Sequence, residues 1–237
     1  MKRIAITGGI GSGKSYVCRL LAERGIDVFN CDAVAKGIIA HDPVVRTELT
    51  TLIGGEPPPS SVSTAGTKTP LSSVSTAGAK TPPSSVSTAG AKTPPSSVST
   101  AGSVLSSSAA EPAPILTKER LGAYLRTSPD HAARVNAIVH PRVAAAFEQS
   151  GMEWMECAIL FESGFDRLVD RVVVVTCPED ERIRRIIARD HCDAATARRW
   201  LALQMTDEER IARATYHIVN DGITPLEPQL DALLQSL

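Results

Sequence analysis

The chain has 237 residues, with 25 Lys and Arg against 26 Asp and Glu, a net charge of −1. So even a balance supplies no global field to steer nucleic acid or an anionic membrane surface, and no apolar run approaches the ~20 residues of a membrane helix. Apolar residues make up 43% of the chain, enough to bury a core, and the five cysteines (Cys18, Cys31, Cys157, Cys177, Cys192) form no CxxC pair, which argues against a disulfide scaffold or structural zinc.

Met1 to Thr7 lacks the length and cleavage pattern of an export signal. A cytoplasmic location, with neither nucleic acid nor membrane as partner, is the expectation. Ile4 to Thr7 reads as a short strand entering a glycine loop. A helical pattern follows at Val17, Leu20 and Leu21 and stops at Gly25. Ile26 to Phe29 is a second strand, ending at Asn30-Cys31-Asp32, and helices are expected over 33–39 and 44–52.

At Pro57 the composition changes abruptly. Residues 57–114 are almost wholly Ser, Thr, Ala, Gly, Pro and Val, with Lys68, Lys80, Lys92 and Glu111 as the only charges and no aromatic residue. SSVSTAGTKTPL (Ser60–Leu71) is followed by two copies of SSVSTAGAKTPP (Ser72–Pro83, Ser84–Pro95) and a partial fourth from Ser96. Such a segment buries too little apolar surface to offset its ordering entropy, so it reads as a disordered insert, either an inert spacer or a tract for a partner or modification. The rest of the chain is the size of one compact α/β domain.

After the insert, Thr117 can cap a helix carrying Leu121, Tyr124 and Leu125. A second helix is expected over 129–149, interrupted near His140-Pro141, because proline disfavours helix at the residue before it. Cys157 to Phe161 reads as a strand. Arg171 to Thr176 reads as another, its valine run suiting burial on both faces. Helices follow over 178–190, 193–204 and 207–214, then a strand at Tyr216–Val219 and a helix over 226–234. Strands alternating with helices predict an α/β fold: a mostly parallel sheet with helices on both faces.

Gly8-Gly9-Ile10-Gly11-Ser12-Gly13-Lys14-Ser15 matches G-x-x-x-x-G-K-[ST]. Its glycines let backbone N–H groups curl around phosphate oxygens, and the following helix points its N-terminus at the same anion. Lys14 would reach the β- and γ-phosphates, and the Ser15 hydroxyl would ligate Mg²⁺. Asp32 lies just past the second strand, at the end of a parallel sheet that faces the ligand crevice. There it could accept a proton from an attacking hydroxyl, or simply cap the helix starting at Ala33. Arg182, Arg185 and Arg189 recur at i, i+3 and i+7, a helical stripe able either to close over a triphosphate or to face solvent. An N-K-x-D guanine reader and an h-h-h-D-E pair are absent, so Mg²⁺ would rest on Ser15, phosphates and water. That suits a small-molecule kinase better than a switch.

The stretch ITGGIGSGKS (Ile6–Ser15) closely resembles the dephospho-CoA kinase family. The likeness continues in order through Asp32, His140-Pro141, Leu160-Phe161-Glu162, Arg185 and Arg189, Gln204, and Asn220-Asp221-Gly222. It covers essentially everything outside 57–114. The resemblance implies a three-layer P-loop kinase fold over 1–56 and 115–237, with a CoA-side helical region at about 33–56 and 115–150 and a helical lid at about 179–214. It implies transfer of the ATP γ-phosphoryl group to the ribose 3′-hydroxyl of dephospho-CoA, giving CoA and ADP at the end of coenzyme A biosynthesis.

Carried over residue by residue, Thr7, Gly8, Gly9, Ile10, Gly11, Ser12, Gly13, Lys14, Ser15 and Tyr16 would meet ATP and Mg²⁺. Asp32 would be the base facing the acceptor. Lys14 and Arg185 would act on the transferring group, with Arg189 beside them and Asn220 and Gly222 near the adenine. His140, Pro141, Leu160, Phe161 and Glu162 would line the acceptor side. The chain departs from the family at Tyr16, where threonine is commoner, at Lys118, where arginine is usual, and at the insert, which is expected to leave folding intact and to weaken acceptor binding. Two other readings compete: a P-loop kinase with another small-molecule acceptor, and an ATP-binding protein whose acceptor site the insert has disabled.

Overall fold

The computed structural model describes residues 2–54 and 116–237; the repeat segment expected to be disordered lies outside them. Five parallel strands form one sheet: β1 (Ile4–Thr7), β2 (Val28–Asn30), β3 (Trp154–Glu156), β4 (Arg171–Thr176) and β5 (Tyr216–Val219), in the order β2-β3-β1-β4-β5. β1 lies at the centre, Ile4 pairing with Trp154 on one side and Arg171 on the other, and all four of its residues are buried.

The two-residue period of a strand divides the core in two. Ala5, Phe29, Met155, Val172 and Val174 face one layer. That layer is built by α2 (Cys31–His41), α3 (Pro43–Gly54), α4 (Lys118–Thr127) and α5 (Pro129–Ser150). Ile4, Ile6, Trp154, Val173, Val175 and Ile218 face the other, against α1 (Lys14–Ala22) and α9 (Leu226–Gln235). The valine run is therefore buried on both faces, as its composition predicts. A separate cluster of Ile183, Ile186, Ala197 and Trp200 joins α6 (Glu179–Asp190) to α7 (Ala194–Ala202), with the short α8 (Asp207–Ala212) following.

Three local expectations change. The strand expected at 157–161 lies earlier, at 154–156, with Cys157 adding one bond from its N–H to Ile6 O at 3.0 Å. The apolar residues after it instead form a buried turn, Leu160 fully so, closed by Phe165 N–H to Leu160 O at 2.9 Å. A short apolar run buries equally well as strand or turn, so periodicity does not separate them. α5 is continuous through Pro141: Val135, Val139, Val143 and Phe147 form one buried stripe, and that packing outweighs the single lost helical bond. α2 begins at Cys31, capped by Asn30 rather than by Asp32, with Asn30 Oδ1 accepting from Ala33 N–H at 2.7 Å.

Candidate active site

The loop between β1 and α1 wraps an anion cradle at the C-terminal edge of the sheet. Gly13 takes a left-handed φ of 89°, and a Cβ there would come within 2.0 Å of Asn220 Nδ2. That amide instead donates to Ser12 O at 2.8 Å, and Asn220 N–H donates to Thr176 O at 2.9 Å, so the end of β5 is tied to the loop. Lys14 Nζ donates to Gly8 O and Gly9 O at 2.8 and 3.2 Å, folded back along the loop it serves. The Thr7 and Ser12 hydroxyls are buried with no hydrogen-bond partner among the described residues. Two orphaned hydroxyls beside a cationic Lys fit a bound polyphosphate, whose oxygens would complete them.

Across the crevice stand two carboxylates. Glu156, at the end of β3, accepts from Ser15 Oγ at 3.0 Å and from Asn30 Nδ2 at 2.7 Å. Asp32, in the first turn of α2, makes no hydrogen bond among the described residues, since Asn30 has taken the capping role. Burial raises the Asp32 carboxyl above its ordinary range, Lys14 pulls it back, and Glu156 raises it further. Burial lowers Lys14, whose charge Glu156 and Asp32 support. Ser15 Oγ with the neighbouring carboxylates is a hard-oxygen set suited to Mg²⁺. No group of three or more His, Cys, Asp and Glu that could hold a metal occurs among the described residues. A Mg²⁺ here would therefore complete its shell with phosphate and water.

The arginine stripe splits. Arg185 turns inward, its Nη2 donating to Asn220 O at 3.1 Å, its Nη1 within 3.5 Å of Gly11 O and Ser12 O, and its Nε bonded to Glu181 at 2.8 Å. Arg182 also faces the loop, its Nε donating to Ile10 O at 2.9 Å. Arg189 is exposed and pairs with the adjacent Asp190 at 2.7 Å. It is not drawn into the loop. Gly222 is exposed, its Cβ position 3.9 Å from Arg185 Nη2, and Tyr16 is exposed beneath the Arg19 guanidinium.

Of the residues expected on the acceptor side, His140 is half-buried and edge-on to Phe165 at 5.4 Å, and its burial lowers its basicity. Pro141 is exposed, Leu160 and Phe161 are buried, and Glu162 lies on the surface facing Arg210. Glu156 is the site carboxylate that sequence reasoning missed. Its signal was its register beside Asn30, hidden while the strand was expected to begin at Cys157.

Phosphate oxygens would thus meet buried hydroxyls and a lysine on one wall of the crevice and an uncommitted carboxylate on the other. A parallel sheet that brings those walls together at its central strand defines a P-loop kinase. The sequence profile of dephospho-CoA kinase matches residues 2–56 and 111–225. The chain is 34% identical to the dephospho-CoA kinase of Bacteroides fragilis over 99% of this chain and 92% of that protein. It is 32% identical to that of Porphyromonas gingivalis, over 100% and 95%. The chain belongs to the dephospho-CoA kinase family. A crystal structure from Thermus thermophilus shares the fold, with a TM-score of 0.65 and 24% identity over 100% of this chain and 97% of that one. The Campylobacter jejuni dephospho-CoA kinase does too, with a TM-score of 0.53 and 16% identity over 99% and 96%.

Proposed function

We propose that this kinase moves the γ-phosphoryl group of ATP to the ribose 3′-hydroxyl of dephospho-CoA in the cytoplasm, with Asp32 as the base. The observation carrying the assignment is that Asp32 sits beside Lys14, half-buried, while Asn30 performs the capping that would otherwise occupy its carboxylate. A carboxylate with a raised pKa is better matched to removing a hydroxyl proton near neutral pH than an ordinary one.

In the transfer, the 3′-oxygen forms a bond to the γ-phosphorus as the bridging bond to the β-phosphate breaks, and the hydroxyl proton passes to Asp32. Lys14 and the loop N–H groups hold the β- and γ-phosphates, and the Thr7 and Ser12 hydroxyls complete their hydrogen bonds on those oxygens. Arg185 stands over the loop on the side of the transferring group. Ser15 and Glu156 would hold Mg²⁺, which supplies charge neutralisation between the phosphates. His140, Leu160 and Phe161 shape the acceptor wall.

The test is ADP production with ATP, Mg²⁺ and dephospho-CoA, beside controls with adenosine or AMP as acceptor. Turnover dependent on dephospho-CoA, with CoA as product, is expected. Equal turnover with AMP would shift the reading to another small-molecule kinase.

A further inference from the structure

Two arginines next to the nucleotide loop share one carboxylate. Arg182, only 8% exposed, donates its Nε to Ile10 O at 2.9 Å and its Nη1 to both oxygens of Asp207 at 3.2 Å. Its guanidinium lies so close on Gly9 that a Cβ there would fall 2.0 Å from Nη2. The other side of the same residue is held as well, Ile10 N–H donating to Gln204 Oε1 at 2.8 Å. The tip of the phosphate loop is thus gripped by two side chains from the α6–α8 region.

Asp207 faces a second guanidinium. Arg210 is fully buried and donates its Nη1 to Met205 O and, at 3.4 Å, to Asp207 Oδ1. Its Nη2 lies 3.7 Å from Glu162 Oε1, on the turn that follows β3. Arg213, one helical turn further, pairs with Asp166 at 2.8 Å and stacks over the Phe161 ring at 4.1 Å. α8 is therefore fastened to the acceptor-side turn at one end and, through Asp207 and Arg182, to the nucleotide loop at the other.

We propose that Asp207 is a positioning residue for phosphoryl transfer, a carboxylate shared by two buried arginines that keeps the nucleotide loop and the acceptor-side turn in one frame. The inference goes beyond the assignment of Asp32 and does not depend on it. Its physical basis is that in-line transfer needs donor and acceptor aligned within about an ångström, and a displacement of that size costs on the order of 10²-fold in rate. A rim charge would not have this effect. Asp207 sits between two buried cations, where losing the carboxylate frees both to move. Phosphate binding itself rests on Lys14 and backbone N–H groups, so ATP affinity is expected to change little.

The experiment uses the full chain. Asp207→Asn, Arg182→Met and the double variant are compared at saturating ATP and dephospho-CoA, with rates normalised to folded protein by circular dichroism. Each single variant is expected to lose about 10- to 100-fold in kcat with the ATP KM changed less than about threefold. The double is expected to lose clearly less than the product of the two single losses, because both singles already remove the Arg182–Asp207 contact. Should Asp207→Asn not fold, Asp207→Glu, which keeps the charge and displaces it by one methylene, is held to the same kcat criterion. The proposal is overturned by folded variants with kcat within about threefold of the parent, by a loss confined to KM, or by losses that multiply in the double variant.

Discussion

Asn30 donates its side-chain amide to Glu156 Oε2 at 2.7 Å while its own oxygen accepts from Ala33 N–H at 2.7 Å. One residue thereby caps α2, orients the Glu156 carboxylate toward Ser15, and leaves Asp32 uncommitted. Replacing Asn30 with Ala removes the cap, a cost of ~1 kcal/mol, and a melting temperature lower by about 2–4 °C is expected. The same change takes a donor from Glu156, so the Mg²⁺ concentration for half-maximal rate should rise. A thermal melt and a Mg²⁺ titration of turnover check the two halves separately. Asn30→Asp should retain the cap but lose the second effect's remedy, since it sets a carboxylate against Glu156.

In the proposed base role, Asp32 would link activity to stability with opposite signs. Burial raises its folded pKa above the ordinary 3.8. Between the unfolded and folded values the folded state binds more protons, so stability falls as pH rises through that window and the ionised carboxylate is a cost at neutral pH. Asp32→Asn removes the cost. The variant should melt at or above the parent temperature at pH 7 and lose about 10²- to 10⁴-fold in turnover, with ATP affinity within a few-fold. The acid limb of kcat in the parent should lie above the usual carboxylate range. Calorimetry and a pH–rate profile provide the check, and turnover near that of the parent would remove Asp32 from the base role.

Much of this site was legible because its parts are local in sequence. The glycines and Lys14 are spaced for one loop, and Asp32 is read from a strand ending two residues earlier. Glu156 was hidden by a register error of three residues, since the apolar run from Ala158 to Phe161 imitates a strand while packing as a turn. The grip of Arg182 and Gln204 on Ile10 joins residues more than 170 positions apart. Helical periodicity placed Arg182, Arg185 and Arg189 on one stripe, but it carries no information on which neighbour each would find. Only the packing of α6 against the loop separates the inward pair from Arg189.

Lys14→Ala should abolish transfer and leave the fold intact. Burial lowers the Lys14 pKa, with Glu156 and Asp32 supporting its charge. The amine is therefore held in place at a desolvation cost that a bound polyphosphate would offset. The variant should melt at the parent temperature or slightly above it without nucleotide, and the rise in melting temperature that ATP gives the parent should shrink markedly. Melts with and without ATP test this, and an undiminished ATP shift would place the phosphates elsewhere.

Gly13 is required twice over, once for its backbone and once for its neighbour. Its φ of 89° disfavours any side chain, by roughly 1–2 kcal/mol. A Cβ would also strike Asn220 Nδ2 at 2.0 Å and break the bond from that amide to Ser12 O. Gly151, at the end of α5, has a φ of 68° and nothing within 4 Å of its Cβ position, so Gly151→Ala meets the backbone penalty alone. Gly13→Ala should therefore destabilise the protein more than Gly151→Ala does. It should also weaken ATP binding, because the displaced Asn220 no longer holds the loop against Thr176 and Arg185 loses its carbonyl partner there. Gly151→Ala should leave ATP affinity unchanged. Paired melts and nucleotide titrations of the two variants separate the contributions, and equal losses in both would mean that Asn220 does not organise the loop.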